Sequence, residues 1–144
     1  MDVTSVMTAN PVCCTRDTPL REVARMMIDN DCGQIPVVES KDNKTPVGVV
    51  TDRDIAIRIV AEGRDANAST AADAMSTPCK TVTTETSLRD CVCLMEAEMV
   101  RRVPVVDAQG KLAGIVSIAD IALAGKEEAT AEVVTKVSEP TSKQ

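Results

Sequence analysis

The sequence predicts an α/β (α+β) fold: two β-α-β-β-α repeats packed as one body with pseudo-two-fold symmetry. Three observations predict it. Residues 20–38, LREVARMMIDNDCGQIPVV, return as residues 88–106, LRDCVCLMEAEMVRRVPVV, at a constant offset of 68 from Leu20 to Leu88 and from Pro36 to Pro104. Each copy then runs into a matching ending, GVVTDRDI at 48–55 and GIVSIADI at 114–121, where the offset is 66 because the second hairpin is two residues shorter. Within each copy the apolar spacing changes from the helical period to that of a strand. A unit of this size cannot bury its apolar face alone, so two copies share a seam, and seams are where ligands bind.

The elements follow in order. Residues 12–15 and 81–84 read as short extended pieces ahead of each first helix. Leu20, Val23, Ala24, Met27 and Ile28 fall at i, i+3, i+4, i+7 and i+8, one face of an amphipathic helix. Thr18 is the expected N-cap, with Pro19 at the first helical position. In the second copy Leu88, Cys91, Val92 and Met95 form the same face, with Thr86 as the expected cap. Residues 31–33, Asp-Cys-Gly, end the first helix. Ile35-Pro36-Val37-Val38 is a strand with proline near its start, where it is tolerated. Polar turns at 40–44 and at Gln109-Gly110 lead to return strands at 47–50 and 112–116. Ile55, Ile59 and Val60 belong to a second helix, and Ile118, Ile121 and Ala122 to its counterpart. The division is repeat 1 at 3–62, a polar linker at 63–71 with a helical turn around 71–75, repeat 2 at 72–125, and a partly disordered polar tail at 126–144.

Composition narrows the function. A net charge of −6 argues against a nucleic-acid partner, which needs a basic footprint. No apolar run reaches the length of a membrane span, and the start carries no basic-then-apolar leader, so the expectation is a cytoplasmic protein off the membrane. The chain has no Phe, Tyr or Trp, so the core is aliphatic and a bound base would be wedged between aliphatic side chains. It has no His either, which removes the commonest acid/base and metal ligand at neutral pH. With no nucleophile–base–orienter group in sight, the reading is not an enzyme. The six cysteines include no C-x-x-C; Cys32 and Cys91 read as buried hydrophobes, while Cys13, Cys14 and Cys79 are candidates for a redox role.

The residues that carry chemistry sit in the matched endings. Thr51 and Asp54 are three apart, as are Ser117 and Asp120. Taken singly, each pair is a capping box at a helix start. Recurrence at the same strand-to-helix junction adds a second role, since an aspartate there accepts hydrogen bonds from a cis-diol and the hydroxyl reaches a ribose or phosphate. Arg102 begins the strand beside Ser117 and is a phosphate candidate, whereas the first copy carries Gln34 at that position, with Arg53 nearby but next to Asp52.

The order Met-Thr, short strand, helix, hydrophobic-Pro-Val-Val, hairpin and Gly-h-h-Thr/Ser-x-x-Asp resembles the CBS domain (cystathionine β-synthase type), repeated in tandem as a Bateman module over residues 3–125. Val6-Met7-Thr8 and Ala74-Met75-Ser76 match the family's opening segments, and the Thr51-Asp52-Arg53-Asp54 form resembles its small bacterial two-repeat members. No prosthetic group and no metal are expected, and the resemblance implies two clefts for adenosine-containing ligands: AMP, ADP or ATP, in some members NAD or S-adenosylmethionine. It assigns ribose hydroxyls to Asp54 and Asp120, ribose or phosphate to Thr51 and Ser117, and phosphate to Arg102. The opening segment of the opposite repeat would cover the adenine, which puts Thr8 and Val12 with Asp120, and Ser76 and Lys80 with Asp54. It also implies a homodimer packed through the repeat faces, acting on a separate effector protein. Two other readings stand beside the nucleotide sensor: a dimeric interaction adaptor with unoccupied clefts, and a cysteine-based redox or stress sensor.

Overall fold

The structure, a computed structural model, describes residues 1–127; the expectation for the tail from residue 128 onward lies outside the described residues. In chain order the strands are β1 (Thr8–Ala9), β2 (Cys14–Thr15), β3 (Gln34–Val38), β4 (Pro46–Thr51), β5 (Val82–Thr83), β6 (Arg102–Val106) and β7 (Leu112–Ser117). The helices are α1 (Leu20–Asp29), α2 (Asp52–Ile55), α3 (Ala71–Ala74), α4 (Leu88–Glu98) and α5 (Ile118–Glu127). A wider-wound turn over Ala56–Val60 extends α2, closed by the Ala61 amide on the Ala56 carbonyl at 2.8 Å.

Two sheets result, ordered β2-β3-β4 and β1-β7-β6-β5. In each, the short strand before the first helix pairs in parallel with the Pro-Val-Val strand, and that strand pairs antiparallel with its return strand. Register shifts recur at matched places, Val37/Val38 and Val105/Val106, so the duplication extends to the irregularities. Proline is accommodated in β3 and β6 beside a shifted register.

Two apolar cores form, one per sheet. Leu20, Val23 and Met27 from α1 meet Ile35, Val37, Val50 and Ile59 in the first. Leu88, Cys91, Val92 and Met95 from α4 meet Val103, Val105, Val116 and Ile121 in the second. The helical and strand faces read from spacing supply these residues, with a correction at their edges: Ile28, read onto the α1 face, and Val60, read with Ile59, are each 67% exposed because they lie at the margin of the stripe that meets the sheet. The cores also exchange parts. Val3, fully buried in a single helical turn near the N-terminus, packs in the second core with Val6 and Met7, while Ala71 and Ala74 from α3 pack in the first with Met75. Strand β1 likewise joins the opposite repeat's sheet, Thr8 opposite Ile115 and Ala9 opposite Gly114.

Two caps differ from expectation. Pro19, not Thr18, is the N-cap of α1; the Thr18 hydroxyl accepts from the Thr15 amide at 3.0 Å, and the Leu20 amide donates to the Ser69 carbonyl at 2.9 Å. At α4 the Ser87 hydroxyl caps the Asp90 amide at 3.0 Å, and Thr86 accepts from the Thr83 amide at 3.0 Å. Both threonines close the strand-to-helix turn by bonding back three residues, a local bond that competes with capping.

Candidate functional site

Each matched ending is a tight corner where a return strand becomes a helix. In the first, the Asp54 amide donates to Thr51 Oγ1 at 3.0 Å and the Thr51 amide donates to Asp54 Oδ2 at 2.9 Å, a complete capping box. In the second, the Asp120 amide donates to Ser117 Oγ at 3.1 Å. Asp54 and Ser117 are buried. Carboxylate oxygens carry two acceptor positions each, so a cap leaves capacity for a ligand hydroxyl.

The opening segment of the opposite repeat crosses each corner. Val49 and Ser76 exchange backbone hydrogen bonds of 3.1 and 2.8 Å, and Ser76 Oγ donates to Asp54 Oδ1 at 3.2 Å. On the other side β1 lies along β7, three residues before Asp120's cap at its Gly114 end. Both crossings need glycine. A Cβ on Gly48 would stand 2.7 Å from the Ser76 carbonyl oxygen, and one on Gly114 would stand 2.9 Å from that of Thr8.

The structure thus brings Ser76 to Asp54 and Thr8 to the strand that carries Ser117. No hydrogen bond among the described residues links Lys80 to Asp54. Val12 lines an open cavity of about 450 Å³ on the first repeat, with Cys13, Glu22, Met26, Lys41 and Lys44 among its walls. Lys80 is exposed. Arg53 is also exposed, its amide bonded to Asp52 Oδ1 at 2.8 Å. Arg102 stands directly opposite Ser117 in the β6–β7 register, as Gln34 stands opposite Thr51 in β3–β4.

Arg58 escaped the sequence reading. Its guanidinium donates to the Ala74 carbonyl at 3.2 Å and to the Met75 carbonyl, latching the crossing segment onto the helix that follows Asp54. The available signal was its place four residues after Asp54, a spacing that shares a helix face. The second copy has Ala124 at the matched position, so the latch is single.

Cys14 and Cys91 are buried among the cores, Cys13, Cys32 and Cys79 are partly buried, and Cys93 is exposed, so Cys32 is less enclosed than its sequence position predicts. Burial pushes the Cys14 thiol up to about 12, and Cys79 and Cys91 up to about 11. Burial also raises Cys13 against the pull of Lys44. A thiol held protonated at neutral pH is a poor nucleophile, which weighs against a redox role for these four. It also sets an alkaline limit. The unfolded chain releases these protons near the ordinary value of 9.0, whereas the folded chain keeps them, so this stability is complete below pH 9 and is lost as pH rises through 11 to 12. The melting temperature is expected to fall above pH 9, less steeply in Cys14→Ala. An unchanged slope in that variant would assign the alkaline loss to other groups.

Among the described residues no helix is long and apolar enough to cross a membrane.

Comparison with known proteins fits this geometry. The family model for the CBS domain matches residues 3–61 and again 71–127. Hypoxic response protein 1 of Mycobacterium tuberculosis is 33% identical over 135 residues, covering 94% of this chain and 92% of that one. The uncharacterized protein MK0525 of Methanopyrus kandleri is 38% identical over 100 residues, 69% of this chain; the match spans only 50% of its length. Among solved structures, Hypoxic Response Protein I with two coordinated zinc ions superposes with a TM-score of 0.77 at 33% identity, covering 85% of this chain and 97% of that one. The CBS domain protein PAE2072 from Pyrobaculum aerophilum, complexed with AMP, gives 0.75 at 29% identity, covering 83% and 89%. The zinc ions belong to the Hypoxic Response Protein I structure. The chain has no histidine, and among the described residues no group of three or more Cys, Asp or Glu forms a metal-binding cluster.

Proposed function

The chain belongs to the CBS domain family, and from that premise we propose that it is a non-catalytic regulatory module that senses an adenosine-containing nucleotide, AMP, ADP or ATP, in clefts between its two repeats. One observation carries the reading. The Thr51/Asp54 and Ser117/Asp120 corners recur, and the opposite repeat's opening segment crosses over or beside each. A carboxylate at such a corner accepts from both hydroxyls of a ribose, the neighbouring hydroxyl reaches the ribose or a phosphate, and the crossing segment encloses the base. Arg102 supplies the phosphate partner. Val12 and Lys80 would serve only at the periphery. The AMP bound by PAE2072 supports the ligand class.

Binding changes how firmly the two repeats hold each other's opening segments, which is the output such a module offers a separate effector protein. A homodimer through the repeat faces belongs to the same proposal. Ile28 on α1, 67% exposed, is apolar surface for such packing. A cytoplasmic location accords with a cytosolic nucleotide as ligand.

Isothermal titration of the nucleotide-stripped protein with AMP, ADP and ATP tests the function. Micromolar binding is expected, weakened at least tenfold in Asp54→Ala or Asp120→Ala according to the cleft used. Flat titrations with all three nucleotides would overturn the sensor and favour an adaptor with unoccupied clefts.

A further inference from the structure

The duplication makes any difference between the two corners informative, and the differences concentrate where a phosphate would lie. At matched positions the first corner has Gly33, Gln34, Asp52 and Arg53, and the second has Arg101, Arg102, Ile118 and Ala119. The backbone there is the same: the Asp52 amide donates to the Gly33 carbonyl at 3.0 Å and the Ile118 amide to the Arg101 carbonyl at 2.9 Å. The second corner therefore has two arginines, Arg102 half-exposed opposite Ser117 and Arg101 exposed beside it, and no carboxylate from this set. In the first, the Asp52 carboxylate lies against Gly33, 2.9 Å from where a Cβ would stand, and the one cation, Arg53, is exposed beside it.

Gln34 adds an independent observation. It is 8% exposed, and its Oε1 is buried without a hydrogen-bond partner, the one such side-chain atom among the described residues. Its direction follows from the pairing. Ile35 and Val50 stand opposite each other and enter the first core, so Gln34 and Thr51, opposite each other one step along, share the other face with the Asp54 corner. A buried carbonyl oxygen without a donor is destabilising. As placed, Oε1 calls for a donor, which a fully ionised phosphate does not supply, although the Gln34 amide turned end for end offers its NH2 to an anion. A hydroxyl or amino group donates to it.

We propose that the two clefts divide adenosine ligands by charge: the cleft of Gln34, Thr51 and Asp54 takes an adenosine whose 5′ side ends in an uncharged hydroxyl or amino group, and the cleft of Arg102, Ser117 and Asp120 takes a 5′-phosphorylated one. This rests on the adenosine-binding function proposed above and deepens it. The protein would then read a phosphorylated and an unphosphorylated adenosine together.

The test is titration of the full chain with adenosine and with AMP, using wild type, Asp120→Ala and Arg102→Gln, each first shown to melt cooperatively. Wild type is expected to bind both ligands at different sites, so that saturating adenosine leaves AMP one site. Asp120→Ala is expected to keep the adenosine site, with AMP weaker there by tenfold or more. Arg102→Gln, at a half-exposed strand start, is expected to lose at least tenfold in AMP affinity and leave adenosine unchanged; it reads the division even if Asp120→Ala does not fold. AMP binding to Asp120→Ala better than adenosine, or unchanged AMP affinity in Arg102→Gln, overturns the division while leaving the sensor in place. Failure of wild type to bind either ligand, or ADP and ATP, overturns both.

Discussion

Ile59→Ala is expected to destabilise the protein by about 2–5 kcal/mol, while its neighbour substitution Val60→Ala shifts stability by less than about 0.5 kcal/mol. Ile59 is fully buried and is the sole buried side chain of the turn Ala56–Val60, where it meets the first core. Val60 is 67% exposed. The turn is wound more widely than an α-helix, with the Arg64 amide reaching the Ile59 carbonyl at 2.9 Å, so side-chain anchoring matters more than backbone regularity. The effect extends to the site, because the same segment follows Asp54 and carries Arg58, which holds the crossing segment at Ala74 and Met75. Urea unfolding of both variants measures it. A loss below about 1 kcal/mol for Ile59→Ala would mean that the core collapses around the truncated side chain.

Gly48→Ala is the second large effect, expected to cost about 2–4 kcal/mol and to abolish ligand binding in the first cleft. The added methyl would sit 2.7 Å from the Ser76 carbonyl oxygen, 3.0 Å from Thr77 Cγ2 and 3.2 Å from Met75 Sδ. The nearest obstacle is backbone, so no rotamer change relieves it and the segment must lift. Lifting breaks the two Val49–Ser76 hydrogen bonds and withdraws Ser76 Oγ from Asp54. Gly114→Ala is the matched control. Its nearest obstacle is the flexible end of Met7, with the Thr8 carbonyl oxygen next at 2.9 Å, so the loss is expected to be smaller. Equal losses from the two substitutions would show that the crossing at Gly48 yields as easily as a side chain. Thermal melts rank the pair, and nucleotide titration of Gly48→Ala reads the cleft.

The parts of this protein that depend on short-range spacing are legible in its amino-acid sequence. The helical face Leu20–Val23–Met27, the Pro-Val-Val strands, the hairpins and the Thr51/Asp54 and Ser117/Asp120 corners each involve residues a few positions apart, where local geometry dictates the partner. The nearness of Arg102 to Ser117 is legible too, because a hairpin fixes its own register. Thr18 and Thr86 defeat the capping expectation for a local reason, since one hydroxyl serves either a cap or the preceding turn.

The duplicated units, their elements and the two corner motifs thus follow from residue order alone. Long-range packing places Val3 in the second core and Ala71 and Ala74 in the first, latches one crossing segment with Arg58, and buries Gln34 without a partner. Spacing along the chain specifies a face but not its distant occupant. Two repeats of one plan offer similar faces, and which segment fills each is settled by packing and by backbone hydrogen bonds formed across the seam.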